Sequence, residues 1–217
     1  LKSQIIEKKI FAINNIFYLQ DAIINLKNFT KVSKIKGDIN GLSDKIILAV
    51  GRLTHQKNFI FLIKEFKKFS STHKNYSLII LGDGEQEKKL KKIIKDYKIE
   101  HKVYLQGRVS NVYDYMRKAN VFVLSSLWEE LGFVLVEAAF NNLFIISSDC
   151  PNGPKEFIDQ NKCGILFKNN ESNSLLSAFR QFDNIDKSLK KERRINAKRK
   201  SKIFTKFNHH KTLLDIL

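Results

Sequence analysis

Cysteine is almost missing from this chain: Cys150 and Cys163 are the only two in 217 residues. They form no close-spaced pair and no histidine cluster stands near them, so a structural zinc site or disulfide framework is not expected, and a reducing cytoplasmic setting fits. No apolar run reaches the roughly 20 residues that span a bilayer, and the N-terminus lacks a secretory signal pattern. No Ser-His-Asp arrangement is legible, and no His, Asp or Glu spacing suits a metal, so neither metal nor cofactor is expected. The pattern of basic residues interleaved with aromatics that nucleic-acid binding uses is missing too, which argues against a nucleic-acid partner. The chain opens on Leu1 rather than Met, and a fragment of a longer protein is the expectation drawn from that.

What is present is an ordinary globular composition, 43% hydrophobic and 28% charged, with a formal charge of +17. Its densest basic block runs from Lys187 to Lys202 and includes Lys190, Lys191, Arg193, Arg194, Lys198, Arg199 and Lys200. Such a run is usually a solvated helix face. The functional alternative is peripheral contact with anionic lipid at an inner membrane face, worth about 1 kcal/mol per basic residue near the surface.

Short apolar strands alternate with helices along the chain. Ile46–Val50 is a continuous apolar strand; after Gly51 to Asn58, apolar residues Phe59, Leu62, Ile63, Phe66 and Phe69 recur at helical spacing. Leu78–Leu81 is a second strand, closed by Gly82-Asp83-Gly84, which reads as turn chemistry with positive φ. An amphipathic helix over Glu85–Lys98 precedes a strand at Val103–Gln106, and a short helix covers Tyr113–Lys118. Further strands are expected at Val121–Leu124, Leu143–Ser147 and Cys163–Phe167, with a helix opening at Lys155–Ile158. Ser172–Lys202 reads as mostly helical, and Phe204–Leu217 as a last helix with Leu213, Leu214, Ile216 and Leu217 on its apolar side. This alternation specifies an α/β, Rossmann-like, doubly wound parallel sheet with helices on both faces.

The stretch Ala119–Phe140 organises the rest. Val121–Leu124 reads as a strand buried on both faces, ended by Ser125 and Ser126. Every residue from Phe133 to Phe140 is apolar except Glu137. An all-apolar helix is a buried helix, so Glu137 is a carboxylate in a core element and needs a bonding partner. The preceding loop adds Glu129, Glu130 and Gly132. A strand end, a Gly-containing loop, a helix N-terminus and two carboxylates suit a phosphorylated, hydroxyl-rich ligand. The loop after Ile46–Val50 has the same form, flanked by Arg52 and Lys57, cations that suit a diphosphate. On spacing alone, a plain βα loop with solvated charges is the commoner outcome.

Glu129, seven residues and Glu137, with Gly132 in the fourth place, resemble the signature of the retaining GT-B glycosyltransferases of the group 1 (GT4-like) family. Gly51-Arg52-Leu53 and Lys57-Asn58 resemble a second motif of that family, in the expected order. The resemblance covers roughly residues 44–170 and implies the C-terminal, donor-binding half of a GT-B fold. It assigns Glu129 to the donor sugar as the catalytic residue and Glu137 to the ribose. Arg52, Lys57 and the backbone of Gly132, Phe133 and Val134 fall to the diphosphate. Arg108 and Val109 are the candidates for the base, although Arg108 is otherwise an ordinary loop cation and both readings stay open. Glu156 matches a family glutamate near the donor pocket, and its plainer role is to complement a helix dipole. The chain departs from many members in having Glu130-Leu131 where they have Gly-Phe. The implied activity is transfer of a sugar, with retention, from a nucleotide-diphospho-sugar, expected to be a UDP-sugar. The acceptor would be a cell-surface glycan or a lipid-linked saccharide, and no metal would be needed. The expected division is residues 1–43 as remnant of a preceding domain and linker, 44–185 as the nucleotide-sugar domain, and 186–217 as a basic helical segment. A hexosyltransferase fragment of this kind is expected to be inactive without its N-terminal domain.

Overall fold

In the computed structural model, which describes residues 19, 21–24 and 44–216, six parallel strands form one sheet. They are β1 Lys45–Val50, β2 Tyr76–Leu81, β3 Val103–Leu105, β4 Val121–Leu124, β5 Phe144–Ser148 and β6 Ile165–Phe167. Their spatial order is β3-β2-β1-β4-β5-β6, with every neighbouring pair parallel. The order reverses between β1 and β4. At such a switch point the loops leaving two adjacent strands diverge to opposite faces and open a crevice at the strands' carboxyl ends.

The strands are apolar apart from Lys45, Ser77, Ser147 and Ser148, and their two faces feed two separate cores. Ile47, Ala49, Leu78, Ile80, Val121, Val123, Phe144 and Ile146 pack on one side with α1 (Phe59–Thr72), α2 (Glu87–Asp96) and α6 (Ser174–Asn184). Leu48, Ile79, Leu81, Phe122, Leu124 and Ile145 pack on the other, against α3 (Val112–Lys118), α4 (Phe133–Phe140), α5 (Pro154–Ile158) and α7 (Lys187–Ser201). The period of two that splits the strands and the three-and-four spacing of Phe59, Leu62, Ile63, Phe66 and Phe69 meet in the first core, where all five are buried. Each such side chain contributes about 1.5–3 kcal/mol of transfer free energy.

The helix expected over Ser172–Lys202 is two helices. Ile185 takes an extended conformation after α6, and the Asp186 carboxylate accepts from the Ser188 N–H (2.7 Å) to start α7. The basic helix α7 then packs against α4 and β5, with Ala197 fully buried. The strand expected over Cys163–Phe167 is shorter, beginning at Ile165, and the second helix spans Glu87–Asp96 within the expected Glu85–Lys98. The final helix, α8, covers Lys206–Ile216. Within it Leu214 is exposed, as is Phe207, and Leu217 lies outside the described residues. Segment 1–43 is mostly outside them as well. Its described part, Asp21–Ile24, lies on the second core: Ile24 is buried, donates to the Phe204 carbonyl at 3.0 Å and bridges Thr205 in parallel.

Candidate functional site

The crevice at the switch point is built from two loops. Residues 51–58 leave β1, and residues 125–132 leave β4. The first is held in shape from the side by the turn after β2. Leu53 N–H donates to the Asp83 carbonyl at 2.7 Å, and Gln86 N–H donates to that of Leu53 at 2.9 Å. Gly82 (φ 135°) has to be glycine, because a Cβ there would sit 2.0 Å from the Gly51 carbonyl oxygen. The turn chemistry read at Gly82 and Gly84 is present, and close approach of backbone to backbone is its purpose. The second loop is braced by the segment before α5. Gly153 (φ 92°) lies so near that a Cβ would meet the Glu130 carbonyl oxygen and Leu131 Cα at 2.5 Å. Glu156 caps that segment, accepting from the Gly153 N–H at 2.6 Å, so it takes the plainer of its two expected roles.

Side chains from both loops converge on one hollow. A cavity of about 750 Å³ is lined by Arg52, Lys57, Glu129, Gly132, Phe133, Val134 and Glu137, together with Gln56, Trp128, Pro151 and Asn152. A second hollow of about 360 Å³, at the ends of β1, β2 and β3, is lined by Arg108 and Val109 with Leu81, Gly82 and Val112. Val50, Gly51 and Arg52 line both. The two hollows are therefore neighbours sharing one cation.

Their electrostatics separate the two cations expected for a diphosphate. Arg52 is exposed and its guanidinium has no hydrogen bond or ion pair among the described residues. Lys57 is nearly buried and pairs with Glu129, its ammonium on Oε1. The Ser126 hydroxyl donates to the same oxygen at 2.6 Å, and Ser125 donates to the Lys57 carbonyl at 2.7 Å. Glu137 also has one oxygen occupied: Tyr113 donates its hydroxyl to Oε1 at 2.9 Å. Burial pushes the Glu137 carboxyl above the ordinary glutamate range, and the tyrosine hydrogen bond draws it partly back. Each carboxylate thus has one oxygen fixed by protein donors and a second, Oε2, with no hydrogen-bond partner among the described residues. At the start of α4, Gly132 is the N-cap (φ 73°), and the first helical N–H groups, of Phe133 and Val134, have no intrahelical acceptor. Helix N-terminal N–H groups, the Arg52 guanidinium and two carboxylate oxygens, none with a side-chain partner among the described residues, form a binding surface for anionic and hydroxyl groups side by side.

Sequence reasoning missed Ser126 and Tyr113. The two serines at the end of β4 were the available signal for the first. Nothing local marks Tyr113, 24 positions from its partner. Among the described residues, no group of three or more His, Cys, Asp and Glu side chains is placed to hold a metal. Both cysteines are buried free thiols.

A family model described as glycosyl transferases group 1 matches residues 33–201. The chain belongs to the group 1 glycosyltransferases. An uncharacterized glycosyltransferase of Methanocaldococcus jannaschii is 42% identical over 113 residues, 52% of this chain and 28% of that protein. A Campylobacter jejuni enzyme named as an N-acetylgalactosamine-N,N'-diacetylbacillosaminyl-diphospho-undecaprenol 4-alpha-N-acetylgalactosaminyltransferase is 33% identical over 165 residues, 76% of this chain and 44% of its own. The group 1 chain spans less than half the length of these curated relatives. Among solved structures, a Staphylococcus aureus TarM variant in complex with fondaparinux, alpha-GlcNAc-glycerol and UDP superposes with a TM-score of 0.76 at 23% identity, over 100% of this chain and 42% of that one. The C-terminal domain of a group 1 protein (LpcC) from Francisella tularensis superposes with a TM-score of 0.68 at 15% identity, over 87% of this chain and 95% of that one. These likenesses establish the α/β, Rossmann-like fold of the GT-B glycosyltransferases, as the motif resemblance implied. Among the described residues, no helix of the group 1 chain is long and apolar enough to cross a membrane.

Proposed function

We propose that this chain is the donor-binding half of a retaining hexosyltransferase of the GT4-like type. It would take a nucleotide-diphospho-sugar, a UDP-sugar, and pass the sugar to a glycan or lipid-linked acceptor. The observation that carries this reading is Arg52, an exposed guanidinium common to two adjoining hollows and without a hydrogen bond or ion pair among the described residues. A diphosphate lying between a base in the smaller hollow (Arg108, Val109) and a sugar in the larger one would meet it from either side. The N–H groups of Phe133 and Val134, with the Gly132 backbone, add fixed donors, and Lys57 a second cation. Together they stabilise the negative charge that develops on the leaving diphosphate, the task a metal serves elsewhere. Glu129 contacts the donor sugar as the catalytic residue, and Glu137 accepts from the ribose. The M. jannaschii and C. jejuni proteins are both named as glycosyltransferases, the latter with an undecaprenol-linked acceptor, which supports a lipid-linked saccharide at the cytoplasmic membrane face. Exposed Lys187, Lys191 and Arg199 would meet anionic lipid there.

Titration calorimetry of UDP and uridine against wild-type and Arg52→Ala protein tests the reading. UDP binding should weaken by about 1.5–3 kcal/mol, the worth of a charged hydrogen bond, with uridine binding nearly unchanged. UDP affinity should be the same with EDTA as with Mg²⁺. Equal losses for both ligands would exclude the diphosphate role.

A further inference from the structure

Every residue of α4 except Glu137 is apolar, and that one carboxylate accepts from a hydroxyl. Tyr113 opens α3 next to Val112, a residue that lines the smaller hollow with Arg108 and Val109. The residue is 9% exposed and belongs to the second core with Leu135, Val136 and Phe140 of α4. A tyrosine seated this way has an apolar body held by packing and a single polar tip whose position the core dictates. That tip lies 2.9 Å from Glu137 Oε1. Without a second contact, a glutamate on a helix can swing its carboxylate about two further torsions. With Oε1 taken, the plane of the carboxylate is set and Oε2 is aimed. The hydrogen bond also favours the ionised form against the burial that opposes it.

We infer that Tyr113 is a positioning residue for Glu137: by claiming Oε1 it fixes Oε2 to receive a ribose hydroxyl, and it ties the ribose contact to the wall of the base hollow. This rests on the nucleotide-binding reading above. The segment 108–113 then does two adjacent things, lining the base hollow with Arg108, Val109 and Val112 and orienting the sugar-binding carboxylate with Tyr113. Movement of one is transmitted to the other through a single residue.

Tyr113→Phe keeps the ring and deletes the tip. UDP and 2′,3′-dideoxy-UDP are to be titrated against wild type, Tyr113→Phe, Glu137→Gln and the double variant, with melting curves for each. Tyr113→Phe should lose about tenfold in UDP affinity, the scale of one charged hydrogen bond, and little for the dideoxy form. In the Glu137→Gln background it should cost nothing further, because the two residues act as one unit. Equal losses for both nucleotides, or losses that add across the two sites, overturn the inference. A Tyr113→Phe chain without a melting transition does so as well, since the hydroxyl would then be holding the fold rather than aiming the carboxylate. If wild type binds UDP and Tyr113→Phe is indifferent, this inference alone fails. If wild type binds no UDP, the nucleotide reading fails with it.

Discussion

Lys57 and Glu129 are the two residues whose roles overlap most. Each has a separate expected job, one toward phosphate and one toward sugar, yet they hold each other. Their side chains are 14% and 8% exposed, so the pair sits where losing one partner strands a charge. Removing one member of a well-buried pair costs about 3–5 kcal/mol, and partial solvent contact here places the effect at the low end. Lys57→Ala should therefore lower the urea midpoint as well as UDP affinity, because Glu129 is left with only the Ser126 hydroxyl. Arg52→Ala, at an exposed side chain without a partner among the described residues, should lower affinity and leave the midpoint unchanged. The contrast separates a cation that is also structural from one that serves the ligand alone. A Lys57→Ala midpoint equal to wild type would mean that Glu129 is at ease without the ammonium. The pairing itself could not be read from sequence, since nothing local joins residues 72 positions apart.

Among the elements, α6 is fastened to the amino ends of two strands by one carboxylate. Asp183 accepts from Lys45 at 2.8 Å and from Tyr76 at 2.6 Å, at the first residues of β1 and β2. Burial works to raise its pKa, but the bonds from Lys45 and Tyr76 outweigh that and hold it below the ordinary aspartate range. A carboxylate depressed in the folded state adds stability above its unfolded pKa of about 3.9 and loses it as pH falls through the folded value. Melting temperature should thus fall below about pH 4 in wild type, and Asp183→Asn should start lower at neutral pH with a flatter acid limb. Parallel acid limbs for the two proteins would remove Asp183 from the account. Much at this scale was legible beforehand. Continuous apolar runs such as Ile46–Val50 and Leu78–Leu81 announce strands covered on both faces, and their alternation with helical periodicity requires parallel crossovers. The break between α6 and α7 was harder to see, because neither Gly nor Pro marks it and the cue is the capping preference of Asp186. Strand order was not legible either: the crossover from β3 to the far side of β1 leaves no local trace, yet it creates the crevice.

At the level of the whole molecule, the +17 charge is partly structural. Within the basic helix, Arg193 donates to the Gly164 carbonyl and Lys200 to that of Glu156, while Lys190 lies over the Phe182 ring. These bind α7 to its neighbours, leaving the exposed Lys187, Lys191 and Arg199 to meet a surface. With two cores and an uninterrupted sheet, the chain should fold by itself and bind UDP weakly. Trp128 and Phe133, 51% and 50% exposed, line one wall of an open cavity, and a cleft enzyme excludes water by closing a second wall over the ligand. We therefore expect no sugar transfer from residues 1–217 alone, and recovery when the remaining half of the transferase fold is supplied by fusion. Robust transfer by the chain alone, measured by release of UDP from a UDP-sugar with acceptor present, would identify a smaller complete enzyme. The contact of Ile24 with Phe204 and Thr205 bears on how such a chain is made. Synthesis proceeds at about 5–20 residues per second, with early segments free to fold first. Ile24 must wait on the order of ten seconds or more for Phe204 and Thr205, the residues that pair with it. During that interval α1 and α2 can cover part of the first face and α3, α4 and α5 part of the second, so what a nascent chain leaves open is the apolar ground around Ile24 that residues 204 and 205 and the basic helix α7 later seal.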